Sequence, residues 1–69
     1  MVRIRHLPAQ AVKMRLRRAG YIQADVAERA KLSQGTVSNT IRRRPRSPSA
    51  ERVWRTIEIM VGESQEGTA

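Results

Sequence analysis

One run of the chain, Gln34 to Arg43, holds side chains that could read a nucleic acid. Asn and Gln can bond bidentately to adenine, Arg can do so to guanine, and a Thr methyl can rest against the methyl of thymine. Val37 and Ile41 stand at i,i+4 and share one helix face. The opposite side carries Gly35, Thr36, Asn39, Arg42 and Arg43, with Gln34 at the helix start. Gly35, lacking a side chain, would let the backbone come close to a duplex. Gln34, Gly35, Thr36, Asn39 and Arg43 form the expected base-reading set. Arg42, Arg44 and Arg46 crowd the end of the run, and there phosphate is the natural ligand. Ser38, at the edge of the buried face, suits a phosphate or the neighbouring backbone. Phosphate contacts position a protein on DNA and base contacts select the sequence. A solvated polar face is the competing interpretation of the same residues.

The elements around this run fix how it can be presented. Ser33 is an N-cap residue one position before Gln34, and is also expected at a phosphate. Before it lies a shorter helix from Gln23 to about Ala30, with Val26, Ala27 and Ala30 apolar and Leu32 in the turn. The small Ala27 allows the two helices to cross closely. Asp25 and Glu28 sit in the early turns of that helix, where the helix dipole favours negative charge, and read as such rather than as an acid–base pair.

A first helix is predicted from about Pro8 to Ala19, since Pro suits a first turn and Gly20 a position just past the end. Ala9, Val12, Leu16 and Ala19 fall within roughly an 80° sector. Lys13, Arg15, Arg17 and Arg18 lie outside it, with Arg17 expected at a phosphate, and Met14 points away from the core. Tyr21 or Ile22 should staple the connector to the second helix. Pro45 ends the third helix, and Ser47 or Ser49 caps a fourth that runs from about Ser49 to Val61 with Gly62 as its stop. Val53, Trp54, Ile57, Met60 and Val61 fall in a sector of roughly 120° that closes the core, and Ile59 projects away. Self-association through this helix is expected to involve Trp54, Ile59 and Met60.

Composition bounds the function. The chain has 69 residues, a net charge of +8 and a pI near 11.7. Residues 1–46 carry 12 Lys and Arg against Asp25 and Glu28, a local net of +10, whereas residues 47–69 have a local net of −2. So uneven a distribution points to a polyanion. With one Trp, one Tyr and no Phe, and no run of alternation, the expectation is a small all-α domain over residues 8–62. Residues 1–7 are expected as a flexible basic arm, a short strand pairing with a second subunit or simply a frayed terminus; residues 63–69 as a disordered tail. There is no Cys and only His6 among imidazoles, so neither a disulfide framework nor a zinc cluster is expected. No cofactor, metal, small-molecule ligand or membrane partner is expected, and no nucleophile–base constellation suggests an enzyme. The lack of an apolar leader run leads to an expected cytoplasmic, nucleoid-associated location.

Gln23, Val26-Ala27, Ala30, Leu32-Ser33 and Thr36-Val37-Ser38 together resemble the helix-turn-helix of the lambda-repressor-like class. That class includes Cro- and Ner-type phage regulators, and anti-CRISPR-associated repressors are similar in size and charge. The resemblance is close over about 21 residues and loose over residues 8–62. It implies a compact four- to five-helix bundle with Gln34–Arg43 as recognition helix in the major groove, and Gln23 at a phosphate. It also implies a homodimer on a palindromic operator with half-sites about one helical turn apart. The expectation is therefore a sequence-specific transcriptional regulator, a phage or mobile-element repressor. A non-specific nucleic-acid-binding module and an antitoxin-like interaction domain are the alternatives. Two positions depart from the class: Lys31 stands where the turn usually has Gly, and Thr40 where an apolar residue is preferred. Ile41 would take over the packing of Thr40, rotating the third helix slightly.

Overall fold

The computed structural model describes the backbone of residues 4–68 and the side chains of residues 4–63. Among the described residues there are four helices and no strand: α1 (Ala9–Arg18), α2 (Gln23–Ala30), α3 (Gln34–Arg43) and α4 (Pro48–Thr68). The boundaries follow from local chemistry. Pro8 is the residue before α1, with its carbonyl accepting from Val12 N at 3.0 Å. Gly20, at φ +89°, closes α1: its N–H reaches Arg17 O, and Tyr21 N reaches Leu16 O at 2.9 Å. This paired closure satisfies carbonyls that the last turn leaves open. Tyr21 packs on the core while Ile22 is 60% exposed, so Tyr21 and not Ile22 is the apolar anchor of the connector.

The turn between α2 and α3 repeats that closure with a lysine. Lys31 N bonds Glu28 O and Leu32 N bonds Ala27 O, while Lys31 adopts φ 59°, ψ 45°. A side chain in this left-handed conformation costs about 1 kcal/mol, which is the expected consequence of Lys where Gly is usual. Leu32 packs against the core and ties the turn down.

The core is Ile4, Val12, Leu16, Val26, Ala27, Val37, Ile41, Val53, Trp54, Ile57, Met60 and Val61. α4 packs on each of the other three helices and is the post around which they assemble. Ser47 is its cap, accepting from Ala50 N at 3.1 Å. Gly62 does not stop it, and the backbone stays helical through the expected tail as far as Thr68. An interior glycine costs a helix only about 1 kcal/mol, and no proline follows to break it. The side chains of residues 64–69 lie outside the described residues.

The N-terminal segment is also tied in where it is described. Ile4 is fully buried, and Arg5 pairs with two acids of α4: Glu51 at 2.9 Å and Glu58 at 3.0 Å. Arg5 Nε donates a second bond to Glu58, so this carboxylate is gripped by a two-pronged fork, the stronger geometry for such pairs. Residues 4–7 are therefore not a free arm; the part of the expected arm before Ile4 lies outside the described residues. Arg44 closes α3 at φ 52° and donates from Nη1 to the Arg5 carbonyl, with its guanidinium 5.3 Å from the centre of the Trp54 ring.

Candidate nucleic-acid interface

α3 is held by three buried residues, Val37, Thr40 and Ile41. Ile41 joins Thr40 in the core rather than replacing it. The Thr40 hydroxyl is satisfied by donating to Thr36 O at 2.8 Å, which makes a polar residue tolerable at a buried position. With that face inward, Gly35, Asn39, Arg42 and Arg43 are exposed on the other side, and Gln34 is exposed at the helix start. These side chains offer amide and guanidinium groups from one rigid rod.

Ser33 and Thr36 are already employed. Ser33 Oγ accepts from Thr36 N at 3.1 Å and shares a hydrogen bond with Thr36 Oγ1 at 2.9 Å. Both hydroxyls therefore serve the cap of α3, and Thr36 keeps chiefly its methyl for a partner. Ser38 is half-buried beside the inward face. Nothing in the protein requires a glycine at position 35: a Cβ built there would meet only Ser33 Oγ, at 3.9 Å.

Gln23, the first residue of α2, and Gln34, the first of α3, line one open groove of about 370 Å³. Lys13 and Arg17, one turn apart on α1, form its basic wall, and Tyr21 and Ile22 its apolar floor. Two helix beginnings, two amides and two cations thus converge where α1, α2 and α3 meet. Helix N-termini and cations both favour an anion.

The distribution of acids sharpens the field. Glu51 and Glu58 are taken by Arg5 and Glu63 by Arg29, at 2.7 Å. The Asp25 carboxylate accepts from Ile22 N at 2.9 Å at the start of α2. Among the described residues Lys13, Arg15, Arg17, Arg18, Lys31, Arg42, Arg43 and Arg46 make no ion pair, so their charge faces outward. Arg44 differs from them: packed on Trp54 and bonded to Arg5, it belongs to the fold as much as to the basic edge.

The residues expected to mediate self-association divide likewise. Trp54 and Met60 are buried within the protein's own core, and only Ile59, 45% exposed, is presented outward. Periodicity had already put Trp54 and Met60 on the core-closing face. The ties of Arg5 to Glu58 and of Arg44 to Trp54 were missed, because no local spacing marks contacts between such distant positions. The one available signal for Ile4 was an isolated apolar residue between basic ones.

Among the described residues no helix is long and apolar enough to cross a membrane, and no group of His, Cys, Asp and Glu could hold a metal ion. Comparison with known proteins gives no match to a family model, a curated protein or a solved structure.

Proposed function

We propose that this protein is a sequence-specific DNA-binding transcriptional regulator built on a lambda-repressor-like helix-turn-helix, with α2 and α3 as the motif. In this reading α3 enters the major groove. Gln34, Gly35, Asn39 and Arg43 meet base edges, and Thr36 offers its methyl. Arg17, Gln23, Ser38, Arg42 and Arg46 hold the flanking phosphates, with Arg44 beside them. Occupancy of a palindromic operator by two subunits would then block a polymerase, as a phage or mobile-element repressor does.

The observation that carries this reading is the two-sidedness of α3. Val37, Thr40 and Ile41 lock one face into the core, and the exposed face pairs base-reading side chains with a glycine the fold does not need. A helix with its side chains is about 10–12 Å across, and a major groove about 12 Å wide admits such a rod. The outward cations supply the non-specific attraction that precedes recognition.

The test compares two alanine substitutions on a selected target and on scrambled duplex. Asn39→Ala should cost about 1–3 kcal/mol on the target alone and relax choice at one base position. Arg46→Ala should weaken both duplexes alike. Arg46 is a cleaner phosphate probe than Arg44, whose removal would also strip a cation from Trp54. Equal losses on both duplexes for Asn39→Ala would leave a non-specific nucleic-acid binder.

A further inference from the structure

Among the described residues three large apolar side chains are exposed: Met14, Ile22 and Ile59. Ile22 lies in the groove already assigned to the DNA interface, and Met14 stands among the cations of α1. Ile59 is different. It lies on the face of α4 turned away from the core, with Arg55 one turn before it and Glu63 one turn after, both exposed.

Arg55, Ile59 and Glu63 form one i±4 row, cation–apolar–anion. When two helices cross in the commonest class, near −50°, their i±4 rows come side by side. A two-fold axis at Ile59 reverses the second row against the first. Ile59 then meets its own copy, Arg55 lies beside the second copy's Glu63, and Glu63 beside the second copy's Arg55. A row with one sign at both ends would repel itself in this arrangement. This one is self-complementary, which is the demand an isologous interface makes.

We infer that the outer face of α4 is a self-association surface, an antiparallel crossing of two copies centred on Ile59 and held in register by two Arg55–Glu63 pairs. The inference specifies the contact behind the homodimer in the proposed function. The chemistry permits it without dismantling the fold. Glu63 Oε1 is taken by Arg29, but a carboxylate has about four acceptor positions, so Oε2 remains for the incoming guanidinium. Arg55 makes no ion pair among the described residues. One helix face falls short of the roughly 1,200 Å² of a stable interface, so the contact is weak in dilute solution and gains effect when two subunits are held near each other.

The chain has no cysteine, so a thiol placed on the surface is the sole one. Ile59→Cys should form a disulfide-linked dimer under mild oxidation in the absence of DNA, and Met14→Cys and Ile22→Cys should stay largely monomeric. Adding Arg55→Glu or Glu63→Arg to Ile59→Cys should each reduce cross-linking about tenfold, two attractive pairs having become repulsive. Mixing those two charge variants should restore it, because every facing pair in the mixed dimer is again opposite in sign. Cross-linking of Ile59→Cys no better than the other two cysteines overturns the surface, and failure of the mixture to recover overturns the register. Neither result depends on DNA, so the DNA-binding reading stands or falls separately.

Discussion

The turn would favour a glycine at Lys31, and the fold gains nothing from the glycine at 35. Lys31 sits at φ 59° with its backbone N–H closing α2. Lys31→Gly should relieve that conformation and stabilise the protein by up to about 0.5 kcal/mol, the relief of about 1 kcal/mol being partly offset by the larger unfolded-state entropy of glycine. For a domain of this size the thermal midpoint should rise by a few degrees, about 4–8 °C per kcal/mol; a fall would mean that the lysine side chain stabilises the turn. Gly35→Ala should leave the midpoint unchanged or higher, since the new methyl meets nothing closer than 3.9 Å and alanine is the better helix former by up to about 1 kcal/mol. The same substitution should weaken target binding about tenfold if the α3 backbone lies against base edges. Loss of binding without loss of stability, read by titration and melting of one preparation, is the signature of a close approach.

At the scale of elements, the N-terminal segment is fastened to α4 by charge. The Arg5 guanidinium, through its hydrogen bond first and its field second, holds the Glu51 carboxyl below the usual carboxylate range. Glu58 and then Glu51 raise Arg5 above its ordinary value. For Glu51 the folded value is the lower one, so its contribution is present above the ordinary carboxylate pKa of about 4 and is lost as pH falls through the folded value. Glu51→Gln should therefore melt below the native protein at neutral pH, and the gap should close as acid is added below about pH 4. A gap that persists undiminished well into acid would show that Glu51 acts by packing. The helices themselves were largely legible in the sequence. Gly20 marks the end of α1, and Asp25 and Ser33 mark the starts of α2 and α3, by local hydrogen-bond chemistry, and those three boundaries fall where the signals put them. Local signals stop being informative where a distant contact decides. Ile4 is buried and Arg5 clamped by residues 46 and 53 positions away, and Gly62, read as a stop, is carried through by a helix anchored on three others. The exposed face of α3 was legible because burial of Val37 and Ile41 fixes what is left outside; that Thr36 and Ser33 spend their hydroxyls on each other was not.

Taken whole, the molecule separates its charges. Among the described residues Glu51 and Glu58 are paired with Arg5, Glu63 is paired with Arg29 and Asp25 holds the start of α2, while the cations of α1 and of the α3 end face outward. If about six of these cations per subunit meet phosphates, the affinity should fall with salt at a log–log slope near −5 per subunit. A slope near zero in a salt titration would mean that the outward cations do not meet phosphate. Electrostatics alone would bind any duplex, and in the proposed function it is α3 that adds choice. Selection of bound molecules from a random pool of duplex DNA tests it most directly. Enrichment of a symmetric consensus with half-sites about one helical turn apart is the expected outcome. A pool that stays random after repeated rounds, while still being retained at low salt, would contradict it.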